Sequence, residues 1–214
     1  MDFKHTATME KLSVNPWDWS EMFYFLQDKY PERVLDFAQS FSENQFVSKS
    51  WLVEQIRLHD ISDKKNLNIN IMGSWYGTLL VPLLFKYLNI GKITLIDFDE
   101  ETIEIARFLF RRYERHRIDF VVKDLSFDFE PMGADININT SCEHMVSMKE
   151  LKPKGLCVFQ TNNFKKELSH INCADSIEHF KEQCDFKSVD YEGEIAFHRW
   201  DDEHLRFMLI GKYQ

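Results

Sequence analysis

Two stretches of the chain carry residues whose types and spacing could do chemistry. The first is Asn68 to Gly77, NINIMGSWYG, where an apolar run breaks into a turn bounded by Gly73 and Gly77. A glycine-bounded turn leading into a helix presents backbone N–H groups to a ligand at a strand's carboxyl end. Asp97 closes the next apolar run, KITLID, and stands 20 residues beyond Gly77. That is about the offset at which a carboxylate meets the ribose hydroxyls of a nucleotide, so the spacing points to an adenosine-type pocket. The second stretch is Asn139 to His144, NTSCEH. Glu143 and His144 are its candidate general bases, because an imidazole titrates near pH ~6.5 and a carboxylate in a partly dry pocket rises toward neutrality. Each has a competing role in the first turn of a helix, and for His144 the two readings weigh about equally. Gln160 to Asn163, QTNN, again turns polar at the end of an apolar run, and His170 beyond it reads as a loop histidine.

Strands and helices must aim these groups. The residues after Gly77, TLLVPLLFKYL, have the apolar spacing of a buried helix, so the region reads as strand, loop and helix feeding a second parallel strand, Lys92 to Asp97. Asp99 reads as an N-cap with Glu100 and Glu101 in the first turn, Ile103, Ala106, Phe110 and Tyr113 as the buried stripe, and Arg111, Arg112 and Arg115 at the far end. A third strand, Ile118 to Lys123, delivers Asp124, which could also be a simple turn residue. The fourth strand is Asp135 to Thr140 and the fifth Leu156 to Thr161, separated by a helix from Met145 to Leu151 that Pro153 and Gly155 terminate. Asp175 or Ser176 caps a helix carrying Ile177, Phe180 and Cys184, and FKSVDYEGEI and HLRFMLIGKY form a closing antiparallel pair. Before all of this come three helices: one from about Asp18, one from Pro31, and one over about Ser48 to Leu58.

A central parallel strand is normally apolar on both faces, yet Asn68 and Asn70 alternate with isoleucines in the first strand, as Asn137 and Asn139 do in the fourth. Buried amides left unpaired cost about 1–3 kcal/mol each, so the two rows should bond to one another, to water or to backbone. Asn70 and Asn137 read as polar packing, Asn139 as a site residue.

Gly73 and Gly77 after the first strand, Asp97 ending the second, Asp124 after the third and LKPKG before the fifth, in this order, resemble the class I S-adenosylmethionine (SAM)-dependent methyltransferases. The resemblance implies a Rossmann-like three-layer α/β sandwich with a seven-stranded, mostly parallel sheet, an antiparallel closing strand and an N-terminal helical extension. It implies SAM as cofactor, held by Gly73, Ser74, Trp75, Gly77, Asp97, Asp124 and Asn139, and methyl transfer to a small-molecule acceptor with Glu143 or His144 as base and no metal. It divides the chain into a helical extension over residues 1–45, a candidate lid through Trp17, Trp19, Phe23, Tyr24 and Phe25, and a catalytic domain over 46–214. Trp75 stands where the family's middle glycine falls, and Ile71 where its acid falls. Trp75 then either walls the pocket or fills it. The pattern NTSCEH departs from the Asn-Pro-Pro-Tyr type signature of methyltransferases acting on nucleic acid bases. Rival readings are aminopropyl transfer or SAM cleavage in the same pocket, and a degenerate subunit whose aromatic N-terminal region binds a protein partner. A dinucleotide dehydrogenase is disfavoured because its Gly-x-Gly-x-x-Gly spacing is absent.

The 214 residues suit one core with an appendage, and 44% hydrophobic and 14% aromatic content, with 19 Phe, supplies apolar walls. A formal net charge of −9 disfavours a nucleic acid partner, and the basic run from Arg111 to Arg117 is explained by a helix end. Cys142, Cys157, Cys173 and Cys184 lack paired spacing and read as reduced structural thiols. With no run of ~20 apolar residues and no signal-like start, a cytoplasmic protein that avoids membranes is expected.

Overall fold

The computed structural model describes residues 16–112, 117–127, 133–199 and 202–214. Tyr113, Arg115 and His116 lie outside the described residues, as do the side chains of Trp17 and Asp18. The elements in chain order are α1 (Pro16–Lys29), a 3-10 turn (Pro31–Arg33), α2 (Val34–Gln39), α3 (Glu43–Leu58), β1 (Leu67–Met72), α4 (Leu80–Tyr87), β2 (Ile90–Asp97) and α5 (Glu100–Leu109). They continue with β3 (Ile118–Val122), β4 (Gly133–Asn139), a 3-10 turn (Cys142–His144), α6 (Met148–Leu151), β5 (Lys154–Asn162), α7 (Ile177–Cys184), β6 (Ser188–Arg199) and β7 (Asp202–Lys212).

The seven strands form one sheet in the order β3-β2-β1-β4-β5-β7-β6. β1 through β5 pair in parallel, and β7 runs antiparallel between β5 and β6. This is the expected Rossmann-like sandwich with its antiparallel closing strand. The order reverses at β1, which has β2 on one side and β4 on the other, so the crevice above β1 and β4 is where an open α/β sheet takes its ligand.

One face of the sheet presents Ile69, Ile71, Ile136 and Ile138 to Leu52, Ile56, Leu80, Leu84 and Ile103 of α3, α4 and α5. The other presents Met72, Cys157 and Phe159 to Met148 and Leu151 of α6 and Phe180 and Cys184 of α7. The asparagine rows lie on this second face. Asn70 pairs with Asn137 in the β1–β4 register, and the Asn70 amide nitrogen donates to the Asn137 side-chain oxygen at 3.1 Å. Asn137 in turn donates to the Lys154 carbonyl at 2.7 Å. The buried amides therefore satisfy one another and the neighbouring strand, as the alternation required.

Several bounds differ from the sequence expectations. α3 begins at Glu43 rather than near Ser48, which places residues 45 and 46, the expected division of the chain, inside one helix. The helix expected over Met145 to Leu151 is instead a 3-10 turn at Cys142–His144 and the single turn of α6, because Ser147 bonds outward to the Gln183 carbonyl at 2.6 Å. α5 ends at Leu109, and Arg111 and Arg112 both pair with Glu21 of α1. Asp99 caps α5 through the amides of Glu101 and Thr102, and Ser176 caps α7, both as expected. Among the described residues no helix is long and apolar enough to cross a membrane.

Candidate cofactor and acceptor site

The loop after β1 takes left-handed backbone at alternate positions: Gly73 at φ +60°, Trp75 at +48° and Gly77 at +67°. Glycine adopts this region freely, whereas a residue with a Cβ is strained there by roughly 1–2 kcal/mol. Trp75 thus keeps the conformation of the glycine it replaces, and neighbouring groups hold it there. Its backbone N–H donates to Asp97 Oδ2 at 2.9 Å, while Asp97 Oδ1 accepts from the Asp99 N–H at 3.2 Å. Burial raises the Asp97 pKa, and the Trp75 and Asp99 amides oppose that rise. The Trp75 indole packs against the N-terminal helices, its Nε1 donating to Asp36 Oδ2 at 3.0 Å beside Tyr76, whose hydroxyl donates to the same oxygen at 2.6 Å.

Asp36 belongs to α2, so the N-terminal helices are built into the loop. Met22, Leu26, Tyr30 and Phe37 form a core with Tyr76 and Ile105, and Trp19, Phe25 and Trp75 pack against it. Arg33 donates to Asp99 Oδ2 at 2.6 Å and to Glu101 Oε2 at 3.0 Å, tying the turn before α2 to the cap of α5. Of the candidate lid aromatics, Phe25 stacks on Phe108 at 3.9 Å and Trp19 packs on Phe41 at 4.6 Å, whereas Phe23 and Tyr24 are exposed.

Ser74 is buried, its N–H donating to the Ile96 carbonyl at 3.0 Å. Asp124 is exposed, and its Oδ1 accepts from the Ser126 N–H at 2.8 Å, which is turn geometry. Asn139 is buried, accepting from the Ser141 N–H at 2.8 Å and turning its amide nitrogen to Met145 Sδ at 3.0 Å. The same sulfur lies 3.3 Å from where a Cβ on Gly73 would stand, so the loop after β4 leans on the loop after β1.

Glu143 and His144 have different surroundings. Glu143 is buried, and its Oε1 accepts from Asn162 Nδ2 at 2.6 Å and from Arg206 Nη2 at 3.3 Å. His144 reaches the surface, its Nδ1 3.2 Å from the Ser169 carbonyl and its ring 4.5 Å from that of His170. Desolvation by the packed loop lowers the His144 pKa against the attraction of Glu143, with His170 and Arg206 pushing the same way as desolvation. Gln160 is turned away into α3, accepting from Ser48 Oγ at 2.8 Å. Asn163 accepts from the Leu205 N–H at 2.8 Å.

Five further residues bear on the site. Asp36 and Arg206 have no local pattern in the sequence, since each acts through a partner far along the chain. Lys49 on α3 has its pKa pushed down to about 7 by burial, with Arg206 adding to the effect and Glu143 opposing it. Phe98, 74% exposed, and Phe127, 91% exposed, follow the carboxyl ends of β2 and β3. Their signal was available, because each lies within three residues of an acid already singled out, Asp97 or Asp124.

Compared by sequence, the chain matches no protein-family profile and no curated protein. By structure it is similar to the N-methyltransferase NodS from Bradyrhizobium japonicum WM9, solved with S-adenosyl-L-homocysteine, at 15% identity and TM-score 0.60 over 91% of this chain and 98% of that one. It is also similar to the mitomycin 7-O-methyltransferase MmcR, at 16% identity and TM-score 0.57 over 96% of this chain and 71% of that one. A candidate RNA methyltransferase from Pyrococcus horikoshii aligns at 13% identity and TM-score 0.56, over 81% and 86% of the two chains. The chain therefore has the fold of the class I SAM-dependent methyltransferases.

Proposed function

We propose that the protein binds SAM in the crevice above β1 and β2 and transfers its methyl group to a small-molecule acceptor above β4 and β5. The observation that carries this reading is the loop of alternating left-handed residues, Gly73, Trp75 and Gly77, pinned to a half-buried Asp97 at the end of β2. The residues present fit the cofactor. Asp97 offers a carboxylate for ribose hydroxyls, the exposed Phe98 ring an apolar face for adenine, and Asp124 an acceptor for its amino group. Trp75 walls the pocket rather than filling it, since its indole is held by Asp36. Helices α1 and α2 act as the outer wall of this pocket through Trp75 and Tyr76.

SAM would supply an electrophilic methyl group, and the chain's own task is positioning and proton removal. His144 suits the second role better than Glu143, because its lowered pKa keeps the imidazole neutral and it faces solvent, whereas Glu143 is held by Arg206 and Asn162. Calorimetry with SAM and S-adenosylhomocysteine tests the cofactor. Mass spectrometry of small-molecule extracts incubated with labelled SAM tests the reaction: a labelled product with S-adenosylhomocysteine supports methyl transfer, and methylthioadenosine would indicate aminopropyl transfer or cleavage.

A further inference from the structure

We propose that Glu143, His144 and His170 form a binding site for a divalent transition-metal ion of the zinc type, at the mouth of the crevice above β4 and β5. The resemblance to the methyltransferases implied no metal, and His144 and His170 lie 26 residues apart in the chain. The fold closes that distance. One donor atom from each of the three residues lies within 4.8 Å of the other two. The proposal concerns metal binding and does not depend on the methyltransferase reading, although a metal on His144 would take the lone pair which that reading assigns to the base.

Three features point to an ion rather than to packing. The first is the carboxylate. Glu143 is 2% exposed, and both of its hydrogen bonds fall on Oε1, leaving Oε2 buried with no partner among the described residues. A buried carboxylate oxygen without a partner is costly, and a cation relieves that cost. Arg206 does not serve here, since it reaches Oε1 only, at 3.3 Å.

The second feature is the tautomers. Nδ1 of His144 faces the Ser169 carbonyl, and Nδ1 of His170 faces the Phe164 carbonyl. A carbonyl only accepts, so each bond places the ring proton on Nδ1 and leaves the Nε2 lone pair free. Metal-ligating histidines are oriented in this way, by a second bond from the other ring nitrogen to a backbone carbonyl or carboxylate.

The third is the backing. The N–H groups of Ile171 and Asn172 both donate to the Glu143 carbonyl at 2.9 Å, so the segment carrying His170 is tied to the segment carrying Glu143 and His144. The two rings meet edge to face at 85°. Burial falls from Glu143 through His170 to His144, which leaves the solvent side for a fourth ligand such as water. A tetrahedral site with bonds of about 2.1 Å sets its donors roughly 3.4 Å apart. The 4.8 Å limit therefore asks for closures of at most about 1.4 Å, which rotation of the two histidine side chains can supply. Two imidazoles and one carboxylate suit Zn2+ or another late divalent ion over Mg2+.

The test uses the full chain, stripped with chelator and dialysed against Zn2+, with metal content by plasma mass spectrometry and affinity by calorimetry. One Zn2+ per chain is expected, with negligible Mg2+ binding, and Co2+ substitution should give the visible absorption of a four-coordinate site. H144A and H170A should each weaken Zn2+ binding ten-fold or more. Both histidines lie in surface segments, so these variants are expected to fold, with far-UV circular dichroism as the check. E143Q, in the buried position, is secondary, and C173S should leave the affinity unchanged. Absence of stoichiometric Zn2+, or affinity unchanged in both folded histidine variants, overturns the proposal.

Discussion

Asp36→Ala separates an integral N-terminal segment from a dispensable cover. Asp36 Oδ2 takes two side-chain donors, the Tyr76 hydroxyl at 2.6 Å and Trp75 Nε1 at 3.0 Å. Tyr76 is fully buried, so truncating the acceptor leaves its hydroxyl without water, at a cost of about 1.5–3 kcal/mol for a bond to a charged group. Trp75 is half-buried and recovers a water, so its bond adds about 0.5–1.5 kcal/mol. Together the loss is about 3 kcal/mol, read in urea as a lower midpoint at unchanged slope. Tyr76→Phe removes only the first bond, and the double variant should cost less than the sum of the singles by at least about 1 kcal/mol. Released from Asp36, Trp75 has less reason to hold its left-handed backbone, and SAM affinity should fall with the stability. An Asp36→Ala protein within about 0.5 kcal/mol of the parent, or strict additivity with Tyr76→Phe, would refute the claim that α2 holds the loop.

Three other outcomes follow from the same geometry. Asp97→Ala should weaken SAM binding roughly ten-fold or more by calorimetry. Because it also removes the acceptor of the Trp75 and Asp99 amides, it should lower stability by about 1–3 kcal/mol as well. Met145→Ala should strengthen SAM binding several-fold, since the thioether leans on Gly73 at the edge of the cradle; unchanged or weaker binding would count against a loop that must give way. Lys49, pushed down to about 7, binds fewer protons in the folded chain than in the unfolded one between pH ~7 and ~10.5, so its burial penalises folding fully below pH 7 and less as pH rises. Lys49→Met should therefore gain on the order of 3 kcal/mol at pH 6.5, discounted for partial exposure, with the gain shrinking by pH 9 in urea titrations.

The fold was legible in the sequence because its signals are local. The apolar runs, the Asp99 cap and the Ser176 cap each depend on residues a few positions apart, and their alternation with helices leaves few topologies for a parallel sheet. The pairing of Asn70 with Asn137 was legible for a different reason: two polar residues in buried strands must face each other once those strands are neighbours. Bounds were legible only where the cap was. The start of α3 at Glu43 carries no side-chain cap, and the shortened α6 depends on Gln183, a partner 36 residues away from Ser147.

The site was legible where backbone conformation is encoded by residue type and obscure where side chains meet across the fold. Gly73 and Gly77 announced their left-handed turns, but Trp75 hides a third one, and only Asp36 and Asp97, at separations of 39 and 22 residues, explain how a Trp is kept there. The missing middle glycine is thus a change of residue and not of backbone, and its cost of roughly 1–2 kcal/mol falls on contacts that the N-terminal helices supply. Glu143 shows the reverse case. As a sequence residue it resembles a free base, yet Arg206, 63 positions on, and Asn162, 19 positions on, both occupy Oε1. A base needs an unoccupied oxygen that a substrate can reach, and the oxygen left over, Oε2, is buried away from solvent. On the proposed reading the proton-accepting role therefore falls to His144. A metal held by Glu143, His144 and His170 would take the His144 lone pair out of that role and would supply in its place a lowered pKa for a water bound to it, and methyl-transfer activity would then rise on adding Zn2+ to chelator-treated protein.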